Sequence, residues 1–90
     1  MHAVVVTVTI HDFERGRQML QDRIVPAVSG APGFVAGYWT RSDDSQNGLG
    51  MVVFESEDAA RGAAQMIQSQ PPDEGVTLES VEVREVVASA

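Results

Sequence analysis

The segment AVVVTVTI, residues 3–10, limits the possible folds of this chain more than any other stretch. Nearly all its side chains are β-branched, stiff at χ1 and better suited to a pleated strand than to a helix. Alternation puts Val4, Val6, Val8 and Ile10 on one face and Val5, Thr7 and Thr9 on the other. Both faces are apolar or small, which predicts a central strand covered on both sides.

Five further elements follow. Phe13, Leu20, Ile24 and Val28, with Met19 beside them, recur at helical spacing in DFERGRQMLQDRIVPAVSG (12–30). Asp12 suits the N-cap, Glu14 the first turn, and Gly30 with Pro32 the stop. Pro26 has no N–H to donate, so a kink or break is expected near Asp22–Arg23. GFVAGYWTR (33–41) reads as a strand, SDDSQNG (42–48) as a hairpin loop turning at Asn47-Gly48, and LGMVVFE (49–55) as the returning strand. Ser56 caps a second helix, EDAARGAAQMIQSQ (57–70), whose apolar face is Ala60, Ala63, Ala64 and Ile67 and which Pro71-Pro72 ends. The last strand, VTLESVEVREVV (76–87), slips phase between Leu78 and Val81, as at a β-bulge.

The order β-α-β-β-α-β is the ferredoxin-like α+β pattern. It predicts one domain over residues 1–90, with a four-stranded antiparallel sheet ordered 4-1-3-2 and both helices on one face. The opposite face, carrying Val5 and Thr7, has no third layer in so short a chain. A second copy of the chain is the expected cover, giving a homodimer of two facing sheets.

Composition removes several function classes. There is no Cys and no Lys, hence no thiolate nucleophile and no Schiff-base lysine. A formal charge of −7, with six scattered Arg, argues against binding nucleic acid or an anionic membrane surface. His2 and His11 alone do not make the three converging ligands that a metal needs. MHAVVVTVTI lacks the charged start and cleavage site of a secretory signal, and no apolar run approaches the roughly 20 residues of a membrane span. A cytoplasmic protein is expected.

VPAVSGAPGFVAGYW, then a polar hairpin, then VVFESEDAA, resembles the antibiotic biosynthesis monooxygenase-like family of dimeric α+β barrels. The matching pieces are Pro32-Gly33-Phe34 after the first helix and Phe54-Glu55-Ser56 opening the second. The resemblance implies a dimeric barrel, in a family whose members include cofactor-independent oxygenases of aromatic polyketides, haem-degrading enzymes and many small proteins with no assigned activity. Haem-degrading members are similar in having an Asn on the first strand and a Trp and a His on or near the second helix. Thr7, Thr9 and SEDAARGAAQMIQSQ stand there instead, so neither haem nor any other cofactor is expected.

The individual residues leave alternatives open. His11 beside Asp12 is either a general base held by a carboxylate or, more in keeping with a helix start, an exposed cap pair. Arg41 suits an anionic ligand or a loop-edge ion pair, Asp43-Asp44 suits a solvated loop, and Glu79, Glu82 and Glu85 do not share a face. Tyr38 and Trp39 are consecutive in a strand and must point to opposite faces. If Phe34 packs under the helices, Tyr38 follows it into the gap between helices and sheet, and with His11 becomes the candidate ligand-binding residue. Trp39 then joins Val5 and Thr7 as a candidate dimer-interface residue. Two functions follow: an oxygenase-like enzyme acting on a small aromatic or quinone-like molecule, and a non-catalytic dimeric ligand-binding or accessory module.

Overall fold

The β-branched run forms a central strand, β1 (His2–Ile10), flanked by β3 (Asn47–Phe54) and β4 (Val76–Glu85), with β2 (Phe34–Arg41) outermost beside β3. The computed structural model describes residues 1–71 and 74–90. All neighbouring strands are antiparallel, in the order β2-β3-β1-β4 expected for a ferredoxin-like α+β sheet. The first helical arm runs without interruption through α1 (Phe13–Met19), a π-helical turn (Leu20–Ile24) and α2 (Val25–Ser29); α3 (Glu57–Gln68) is the second helix. Both helical arms lie on one face of the sheet. The other face is bare, so β1 is central but covered on one side alone.

Side-chain caps start the helices. Asp12 Oδ1 accepts from the Arg15 N–H at 3.2 Å, and Ser56 Oγ accepts from the Ala59 N–H at 3.1 Å. The expected kink before Pro26 takes the form of the π-turn: the Val25 N–H reaches back five residues to the Leu20 carbonyl. Widening the helix by one residue there accommodates a proline that cannot donate. The second helix ends at Gln68 and Pro71 follows it, while Pro72 lies outside the described residues.

The core is a single layer. Val4, Val28, Val52, Phe54, Ala60, Ala63 and Ala64 are buried between sheet and helices. Phe34 meets Phe54 edge to face, with ring centroids 6.2 Å apart. The alanine face of α3 lets that helix lie close to the sheet.

Two bulges set which side chains face which way. In β4 the ladder passes from Thr7↔Ser80 to Val8↔Leu78, leaving Glu79 extra, at the expected phase slip. In β2 it passes from Phe34↔Phe54 to Ala36↔Val53, leaving Val35 extra. This second bulge overturns one expectation. Regular alternation from Phe34 would carry Tyr38 inward; the extra residue inverts the phase, so Gly37, Trp39 and Arg41 face the helices, and Ala36, Tyr38 and Thr40 face away.

The hairpin also turns differently from expectation. Asn47 and Gly48 belong to β3, and the left-handed residue is Ser45, with φ 59°. Asp44 Oδ1 accepts from the Ser42 hydroxyl at 2.6 Å and from the Gln46 N–H at 2.9 Å, so side-chain hydrogen bonds shape the loop.

Candidate functional site

The helices do not fill the space above the sheet. A cleft of about 730 Å³ opens between the first helical arm, the end of α3 and the outer parts of all four strands. Val6, Val8, Val52 and Trp39 contribute its floor, and Phe13, Met19, Leu20 and Ile24 its helical wall. Ile67, Pro71, Val76 and Leu78 close the far end. This size and apolar character suit a small organic molecule.

Glycines make room for the indole. A Cβ on Gly50, the cross-strand partner of Trp39, would stand 2.7 Å from Trp39 Cδ1, and one on Gly37 would stand 2.8 Å from Cη2. The ring therefore lies down on the backbone of β2 and β3 instead of rising into the cleft. Gly48 serves another neighbour: its Cβ would meet Val8 Cγ2 at 2.9 Å. Close packing, and not a turn, is what Gly48 supplies.

The polar groups of the cleft are uneven in sign. Arg17, Arg23 and Arg41 line it together with Gln68 and Gln70; among the described residues no Asp, Glu or His does. The Arg41 guanidinium sits over the Phe13 ring, 3.9 Å from its centroid, a cation–π stack that holds the charge at the rim. Arg17 Nη2 donates to Glu14 Oε2, three residues back on α1, at 3.0 Å.

The sequence-derived site residues are redistributed. Tyr38 is 70% exposed on the bare face and does not line the cleft, whereas Trp39, expected at a dimer interface, is inside it. His11 is exposed at the end of β1, hydrogen-bonded through Nε2 to Thr77 Oγ1 at 2.6 Å, and is also outside the cleft. Asp12 caps α1 instead of orienting His11. Val5 and Thr7 lie on the bare face as expected, with Thr7 bonded to Ser80 across the β1–β4 pair. Arg41 belongs to the cleft. Phe13, Gly48 and Gly50 were not recognised from sequence as site residues, although three glycines on one face of adjacent strands signal close approach by another group.

Two carboxyls are held below their ordinary range, and both are outside the cleft. The Ser42 hydroxyl, then the Gln46 N–H, stabilise the Asp44 carboxylate. The Arg61 guanidinium, bonded to Glu57 at 2.6 Å one helical turn on, does the same for Glu57. Among the described residues no three His, Asp or Glu converge as a metal-ligand set, and no helix is long and apolar enough to cross a membrane.

No protein-family profile matches the chain, and no curated protein matches it in sequence. Solved structures do match in shape. SnoaB of Streptomyces nogalater, a cofactor-independent oxygenase, aligns over 98% of this chain and 94% of its own at TM-score 0.70 and 18% identity. HapK of Hahella chejuensis aligns over 100% and 96% at TM-score 0.68 and 11% identity. The monooxygenase from ActVA-Orf6 of Streptomyces coelicolor, solved with Nanaomycin D, aligns over 99% and 92% at TM-score 0.60 and 16% identity. The chain thus has the antibiotic-biosynthesis monooxygenase-like fold that its sequence resembles.

Proposed function

We propose that this chain is a monooxygenase-like enzyme that takes a small, flat, electron-rich aromatic or quinone-like molecule into the cleft above its sheet. The observation that carries this reading is the cleft itself: about 730 Å³ left open in a chain of 90 residues, floored by an indole laid flat on two glycines. An aromatic ligand stacks on that indole. The descriptions of SnoaB as a cofactor-independent oxygenase and of ActVA-Orf6 as a monooxygenase support the choice of chemistry.

The reaction suited to such walls converts a ring CH2 and dioxygen to a ring C=O and water. The substrate supplies the electrons. Its proton passes to solvent, because no Asp, Glu or His among the described residues lines the cleft, and the guanidinium at the rim stabilises the anion left behind. The protein orients the ring. We further propose that the working form is a homodimer joined through the bare sheet face.

The test is oxygen uptake with anthrone as substrate. Acceleration over buffer, with anthraquinone as product and one dioxygen consumed per turnover, is the expected result. Binding without acceleration overturns the enzymatic reading in favour of a non-catalytic ligand-binding module, which the lack of a cleft-lining Asp, Glu or His among the described residues favours.

A further inference from the structure

The chain has 13 acidic residues and six basic ones, so cations should be scarce in any pocket it forms. Yet three of its six arginines, Arg17, Arg23 and Arg41, line the cleft, and no carboxylate among the described residues does. Arg41 is distinctive among them. Its guanidinium stacks on Phe13, a neutral ring that fixes the guanidinium plane and leaves the N–H edge able to bond elsewhere. Phe13 and Arg41 belong to α1 and β2, so the stack bridges helix and sheet at the cleft mouth. Trp39, two residues back on the same face of β2, lies flat on the floor. Indole and guanidinium are therefore spaced along a single strand face, one apolar and one charged.

We propose that the cleft selects planar aromatic anions: the ring system stacks on Trp39 and an acidic edge group, a carboxylate or a ring enolate, is bonded by Arg41. This rests on the aromatic-ligand reading above and adds the charge of the ligand and the residue that reads it. A charge-assisted bond from a guanidinium in a partly water-excluded cleft is worth enough to favour the anion over a neutral isostere by about tenfold.

The chain's sole tryptophan is in the site, so quenching of its emission reports binding directly. The probes are anthraquinone-2-carboxylate and its neutral amide, anthraquinone-2-carboxamide, with each dissociation constant repeated by equilibrium dialysis. The carboxylate is expected to bind about tenfold tighter, and the preference to shrink as salt is raised. Arg41→Gln should bring the carboxylate down to the amide's affinity, and Arg41→Lys should keep part of the preference. Arg84→Gln removes an equal charge from a residue paired with Glu82 outside the cleft, and should leave the preference intact. Equal affinity of the two probes for the unaltered chain, or equal loss of preference in the Arg41 and Arg84 variants, overturns the proposal while leaving an aromatic site standing. Failure of both probes to bind overturns the aromatic site and the proposal together.

Discussion

Trp39 is held by what its neighbours lack. Gly50→Ala would place a methyl 2.7 Å from the indole, and the ring cannot yield without rising into the cleft. We expect this variant to lose about 1–3 kcal/mol, with a red-shifted Trp39 emission, measured by thermal melting and fluorescence. Gly62→Ala is the counterpart: nothing lies within 4 Å of its added Cβ, and the site is an exposed helix interior, so stability should rise by about 0.5–1 kcal/mol. At Asp44, hydrogen bonds hold the folded-state pKa below the unfolded value of 3.8. The sign follows: the loop's contribution is present above pH 3.8 and is lost as pH falls through the lower folded value. The Gln46 amide resonance should move with that titration, and Asp44→Asn should abolish the movement. The sequence named Tyr38 and Trp39 as the informative aromatics but exchanged their faces, because the sequence offered no sign of the extra residue at Val35. A bulge is a ladder property, visible only once Ala36 is seen opposite Val53.

Elements were more legible than individual orientations. Capping and period are local, so Asp12, Ser56 and the alanine face of α3 could be read directly from the chain. Ser56→Ala should cost about 1 kcal/mol and lower Tm by about 4–8 °C, with loss confined to the first turn of α3 in amide exchange. Pro26 announced a disturbance without revealing its form. A kink, a break or an added residue can each accommodate the N–H that Pro26 lacks; here the chain takes the added residue, with Ile24 and Val28 both packed on the core. The hairpin departs from its local signal for a related reason. Asn-Gly has strong turn chemistry, but Gly48 is required where Val8 crosses close, and the shorter-range bonds of Ser42 and Asp44 close the loop earlier. The cleft was not legible at all, since an unfilled volume is set by how far apart two elements come to rest.

At the scale of the whole molecule, the chain exposes 5715 Å², where a monomeric protein of this mass is expected to expose about 5100 Å². The extended end at Val87 and the apolar residues of the bare sheet face both contribute to the exposed surface. Pairing sets Val5, Met51 and Tyr38 in one row across three strands, with Leu49 and Val53 in the rows beside it. Tyr38 is 70% exposed, and Leu49 and Met51 more than two-fifths. A twofold partner covering about 800 Å² per chain would remove that patch from water. Sedimentation equilibrium at tens of micromolar should therefore find a dimer, and Tyr38→Glu with Met51→Glu a monomer that keeps its helices; a monomeric unaltered chain would refute the assembly. Trp39 variants should leave association unchanged, because the indole is on the other side of the sheet. The extra residue at Val35 has a consequence for descent as well. Losing it by deletion would make the ladder regular while keeping Ala36, Gly37, Tyr38 and Trp39 opposite their present partners. The indole would stay in the cleft and the phenol on the outer surface, although the strand had lost a residue. Among related genes, a one-residue gap at this point is thus expected to leave both the cleft and the partner surface in place.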